Sequence, residues 1–173
     1  SGTVFFTLIL GTASAISAFL LFNWFPSKMY MGDTGTQFLG AFMAAVGILF
    51  LWGTTPEPIL PATKRILSVL LTFALPIIDT TVVFVNRILK GSSPFVGGKD
   101  HTTHHLFYLG VKEPRIAVIY SLYSGISLLC VVFINKYIQN WSVLYCSLFA
   151  TYFFVSLAVF FIITRIKKKV HEI

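Results

Sequence analysis

The chain has 173 residues, of which 56% are hydrophobic and 11% charged, whereas a soluble domain carries about 25% charged residues. That balance excludes a soluble globular domain and a disordered chain, and two cysteines, Cys130 and Cys146, are too few for a disulfide scaffold. The net charge of +7 points to anionic lipid and not to nucleic acid, because the Lys and Arg residues stand at the ends of apolar stretches.

A helix needs about 20 apolar residues to cross roughly 30 Å of hydrocarbon. Five stretches qualify, so the expected fold is all-α, a polytopic transmembrane helix bundle. The first span is expected over residues 3–22. It begins at Ser1, with no initiator Met and no basic segment before it, and the sequence reads as cut from something longer. A polar loop, 23–36, leads to a second and marginally short span, 37–52. Pro56, Pro58 and Pro61 then break the chain before a third span, 66–85. A second polar loop, 86–115, carries Gly91, Pro94, Gly97 and Gly98. The last two spans are expected over 116–134 and 141–164, separated by Asn135 and Asn140.

With five spans, both polar loops and the C-terminal tail share one face of the membrane. That face collects Lys28, Arg87, Lys90, Lys99, Lys112, Arg115, Arg165, Lys167, Lys168 and Lys169, ten of the 13 cations. Lys64, Arg65 and Lys136 fall on the other. The positive-inside rule therefore puts the loops in the cytoplasm.

Candidate chemistry sits on that face. In the first loop Asp33 is the sole carboxylate, flanked by Gly32 and Gly35 at the start of the second span. Glycines permit positive φ, and a helix start favours anions, so this segment could hold a metal-bound phosphate; equally, Asp33 and Thr34 could simply cap the helix. In the second loop, Lys99, Asp100, His101, Thr102, Thr103, His104 and His105 place three of four histidines within five residues. His101 and His105 would share a helical face, as a zinc pair does, but no further ligand follows at zinc spacing. The imidazoles could bind phosphate or a base edge or carry a proton, or the loop could be a solvated interfacial segment. Asp79 lies inside the third span, eight residues before Arg87, or about 12 Å along a helix. A carboxylate at that depth should face the bundle interior or a wet cavity, and with Asn86 and Arg87 it forms a polar stripe toward the histidine loop; a structural carboxylate, hydrogen-bonded near Thr80 and Thr81 beside a proline kink at Pro76, is the alternative.

The segment from Asn23 through Pro26 to Met31-Gly32-Asp33-Thr34-Gly35 resembles the NxxPxxxFMGDxGS motif of the polyprenyl-phosphate N-acetylhexosamine-1-phosphate transferases, glycosyltransferase family 4. Leu75-Pro76-Ile77-Ile78-Asp79-Thr80, Gly91-Ser92-Ser93-Pro94-Phe95 and His104-His105-Leu106 follow in the family's order, in the style of its bacterial N-acetylglucosamine branch. The resemblance implies transfer of a sugar 1-phosphate, such as N-acetylglucosamine 1-phosphate, from a UDP-amino sugar to polyprenyl (undecaprenyl) phosphate in the bacterial inner membrane, with release of UMP. It implies magnesium, with manganese as a substitute, held by Asp33. It further implies catalytic roles for Asp33, His104 and His105, substrate contacts by Asn23, Tyr30, His101 and Arg87, and a supporting role for Asp79.

Two departures stand out. Thr102 and Thr103 separate His101 from His104 where the family has a single residue, leaving the role of His101 open. The family's N-terminal aspartate pair and Asn/Asp-rich loop are absent, so the chain resembles the C-terminal half of a ten- or eleven-helix enzyme, and its missing N-terminal half becomes an expected partner. Glu113-Pro114-Arg115 resembles instead the phospho-N-acetylmuramoyl-pentapeptide branch. Outside the family, the remaining readings are a non-catalytic membrane scaffold and a transporter.

Overall fold

A computed structural model describes residues 2–52, 59–95, 98 and 100–166. Lys99, Lys167, Lys168 and Lys169 of the charge count, and the breakers Pro56, Pro58 and Gly97, lie outside the described residues. The described elements are helical: α1 (Gly2–Asn23), α2 (Gly32–Val46) continuing into a π-helical segment (Gly47–Trp52), α3 (Ile59–Thr72), α4 (Ala74–Leu89), α5 (Thr102–Tyr108), α6 (Glu113–Tyr137) and α7 (Val143–Arg165). Among the described residues, four helices are long and apolar enough to cross a membrane, and the count is five if one bent pair of helices is taken as a single span. The chain is thus an integral membrane helix bundle, and it divides into two compact units, Ser1–Phe42 and Met43–Ile173.

In the first unit, α1 is a run of mostly apolar residues, and three of its hydroxyls, those of Thr7, Ser14 and Ser17, bond to backbone carbonyls four residues earlier. Ser14 and Ser17 donate to the carbonyls of Leu10 and Ala13, at 2.8 Å each. The expected start of the second span at residue 37 is corrected: α2 begins at Gly32, whose φ of +72° is a backbone conformation glycine adopts without strain. Asp33 and Thr34 therefore lie inside the first turn, and neither holds the N-cap position.

In the second unit the expected third span, 66–85, with a proline kink at Pro76, is corrected from one kinked helix. It is two helices, α3 and α4, bent by 78° at Phe73. Pro76 supplies the cause, since it has no N–H to give to the carbonyl four residues back, at Thr72, and its ring crowds that carbonyl. Pro76 thus becomes a first-turn residue of α4. Pro61 likewise does not break a helix but falls in the first turn of α3, where the backbone N–H has no intrahelical partner to lose.

The core of this unit is built from α3, α4, α6 and α7. Leu71, Ile78 and Ile134 are fully buried at its centre, with Phe149, Phe153 and Phe160 of α7 packed around them. At the end of the bundle bearing Lys64, polar groups lock α3 in place. Lys64 Nζ donates to the Ile138 carbonyl at 2.8 Å, Trp141 Nε1 donates to Thr63 Oγ1 at 2.9 Å, and Asn135 Nδ2 donates to Ser68 Oγ at 3.0 Å. The π-helical segment joins the same unit through Gly47, where an added Cβ would stand 2.9 Å from Phe73 Cε2. Since Phe73 marks the bend, Gly47→Val should force the ring aside and destabilise the unit by about 1–3 kcal/mol, seen as a lower thermal midpoint in detergent. An unchanged midpoint would mean the ring moves freely.

Candidate functional site

The first unit presents one group of candidates. Asn23 Oδ1 accepts from the backbone N–H groups of Lys28 and Met29 at 3.1 and 3.0 Å, so its carbonyl folds the loop that follows α1. Its Nδ2 is enclosed and has no hydrogen-bond partner among the described residues. Tyr30 is 96% exposed at the far side of this loop, its ring open to stacking. Asp33 is exposed in the first turn of α2, where a carboxylate complements the helix dipole. Gly35 sits under the Met31 side chain, with an added Cβ only 2.6 Å from Met31 Cγ, so this glycine lets the loop fold down onto the helix.

The second unit builds the other group around α4. Two charged residues on this helix grip three consecutive residues where the loop enters α5, Asp100, His101 and Thr102. Arg87 is buried, donating from Nε to Asp100 Oδ2 and from Nη1 to the Pro94 carbonyl, both at 3.1 Å. Just over two turns earlier in the helix, Asp79 Oδ2 meets His101 Nδ1 at 2.7 Å, while Asp79 Oδ1 accepts from the Thr102 N–H at 2.8 Å and the Thr102 hydroxyl at 2.6 Å. The expected polar stripe therefore divides. Asp79 and Arg87 reach the histidine loop, whereas Asn86 donates to Thr164 Oγ1 of α7 at 2.8 Å.

The histidines do not form the helical pair that their spacing suggests. His101 occupies the N-cap position of α5 in an extended conformation and makes no side-chain cap. His104 and His105 lie in the helix, where His104 stacks on Tyr108 with ring centroids 6.4 Å apart and His105 meets Tyr108 edge-on at 6.3 Å. Among the described residues, no group of three or more His, Cys, Asp or Glu residues is arranged to hold a metal ion. Asp33 fits a magnesium site as one ligand, since magnesium is commonly held by one or two carboxylates with phosphate oxygens and water completing the shell.

Sequence reasoning missed two members of this cluster. Thr102 is fully buried, and its hydroxyl lies 2.5 Å from the Tyr120 hydroxyl of α6. The available signal was a tyrosine within an apolar span, whose buried hydroxyl needs a partner. Between α5 and α6 opens a cleft of about 510 Å³, with Thr103, His104, Tyr108, Glu113 and Tyr120 on its walls.

Comparison with known proteins follows the same residues. Residues 1–51, which carry Asn23, Tyr30 and Asp33, match the family model described as glycosyl transferase family 4. The chain is 29% identical over 113 residues to a Bacillus subtilis protein named "Probable undecaprenyl-phosphate N-acetylglucosaminyl 1-phosphate transferase", a match covering 65% of this chain and 30% of the relative. It is 32% identical over 134 residues to the phospho-N-acetylmuramoyl-pentapeptide-transferase of Thermotoga petrophila, covering 72% of this chain and 37% of the relative. It is 29% identical over 124 residues to the decaprenyl-phosphate N-acetylglucosaminephosphotransferase of Mycobacterium leprae, covering 66% and 30%. The chain spans about a third of the length of these relatives. No solved structure matches it. Motif order, helical architecture and these similarities together make the chain a relative of glycosyl transferase family 4.

Proposed function

We propose that this chain is the C-terminal part of an integral membrane enzyme that transfers a sugar 1-phosphate from a UDP-amino sugar, N-acetylglucosamine foremost, to polyprenyl phosphate with release of UMP. The observation that carries this reading is an exposed carboxylate and an exposed aromatic ring, Asp33 and Tyr30, within the segment that matches the family. Phosphoryl transfer between two anions demands charge neutralisation and positioning more than covalent chemistry. In this reading Asp33 holds magnesium, which when bound offsets the charge of the diphosphate. Tyr30 stacks on the base, and Asn23 stands near the nucleoside, its Oδ1 folding the loop that leads to Tyr30. His104 and His105 contact the phosphates or the sugar from α5. Arg87 acts by holding Asp100 and the backbone ahead of the histidines, and Asp79 by holding His101 and Thr102. The reaction would face the cytoplasm of a bacterial inner membrane and serve cell-envelope glycan synthesis.

The phospho-N-acetylmuramoyl-pentapeptide reading is kept beside it on the strength of the 32% identity to the Thermotoga protein. Offering UDP-N-acetylglucosamine and the UDP-muramoyl pentapeptide separately decides between them by which one yields UMP.

Two results are expected. The 173-residue chain alone should release no UMP from UDP-N-acetylglucosamine, polyprenyl phosphate and magnesium, whereas the longer protein containing it should turn over. Equal turnover by the chain would refute a site completed by other segments. Single cysteines at residues 34 and 103 should react with an impermeant maleimide from the same side of oriented vesicles. Reaction from opposite sides would refute the cytoplasmic placement of both polar loops.

A further inference from the structure

The Asp79 carboxylate is saturated in a particular direction. Its Oδ1 takes both the N–H and the hydroxyl hydrogen of Thr102, so the Tyr120 hydroxyl must donate to Thr102 Oγ1, completing a directed chain from α6 through α5 to α4. Its Oδ2 has His101 Nδ1 at 2.7 Å. An ionised carboxylate only accepts, and a neutral imidazole carries one N–H, so the proton belongs on Nδ1 and the lone pair on Nε2. The same arrangement holds metal-bound and catalytic histidines in one orientation in many proteins. Burial agrees, because the Asp79 side chain is 22% exposed while that of His101 is 51% exposed, leaving the ring half in the open.

We propose that Asp79 is a positioning residue that fixes His101 in the Nδ1–H tautomer, so that Nε2 is the ring nitrogen offered to a ligand, and that through Thr102 it sets where the histidine-bearing helix α5 begins. No residue adjacent in sequence could do this, since α5 receives its cap from a carboxylate more than twenty residues earlier. The assignment gives His101 a defined face despite its departure from the family spacing. Which ligand meets Nε2 rests on the transferase reading, but the tautomer does not.

The test uses the chain in lipid nanodiscs with ¹⁵N-labelled histidine, at a pH about two units above the ordinary imidazole value of about 6.5. Long-range proton–nitrogen spectra should show His101 protonated at Nδ1 and bare at Nε2. In Asp79→Asn the amide Nδ2 can donate toward Nδ1, so the tautomer ratio should swing toward Nε2–H by about tenfold or more. Thr102→Val removes the hydroxyl but leaves Oδ2 in place, and should keep the parent tautomer. A predominantly Nε2–H ring in the parent overturns the proposal, and so does an unchanged ratio in a folded Asp79→Asn. If Asp79→Asn fails to fold, the parent and Thr102→Val spectra still decide. An Nδ1–H ring in a protein whose complete form has no transferase activity would retire the functional reading and support this one.

Discussion

Asp33→Asn in the complete protein should cut UMP release by at least about a hundred- to a thousandfold, the scale of losing one preorganised group that stabilises developing charge. Asparagine keeps the size and the helix but removes the negative charge that a divalent cation requires. Asp33 lies exposed in the first turn of α2, so the substitution should leave thermal stability within about 0.5 kcal/mol. Manganese provides a second readout, since its paramagnetic broadening of signals near residue 33 should vanish in the variant. Full activity in Asp33→Asn would remove this residue from the metal site, and activity lost together with the fold would assign it a structural role.

The second large effect is expected from Arg87→Met, which keeps the length of the stem and deletes the fork. The guanidinium bonds both Asp100 and the Pro94 carbonyl, so its loss frees the loop ahead of α5 at two points. Asp100 is more than a third exposed and can regain water, which moderates the loss to about 2–3 kcal/mol. Hydrogen exchange should accelerate in the described residues of 91–101 while the cores of α6 and α7 stay protected. Arg87→Lys retains the charge but not the two-pronged geometry and should recover only part of the protection. If exchange in the loop does not change, other contacts hold it.

The contrast between these residues explains how much was legible in the sequence. Apolar length alone located α1, α6 and α7, because a membrane-crossing helix must satisfy its own backbone and announces itself as an unbroken apolar run. Asp33 was legible because glycines isolate it at the start of an apolar stretch. Pro76 made a kink legible, but not that it amounts to a 78° break at Phe73, because the apolar run continues through it uninterrupted. The helical register of His101 and His105 misled for a related reason. Where α5 starts is set by Asp79 from another helix, and that places His101 outside the helix. Thr102 looked like a spacer between histidines, yet it is the buried link joining Asp79 to Tyr120. Such contacts depend on which helices become neighbours, and that information is tertiary.

The bend between α3 and α4 also bears on how the chain is made. Pro76 writes a break into the apolar run from residue 66 to 85 as soon as that run is made, because a missing backbone donor needs no neighbouring helix to act. The groups that hold α3 in its angled position, at Asn135, Ile138 and Trp141, are synthesised later. The break is thus local to its own segment, whereas the angle at which α3 rests is fixed by partners that the ribosome adds more than sixty residues later.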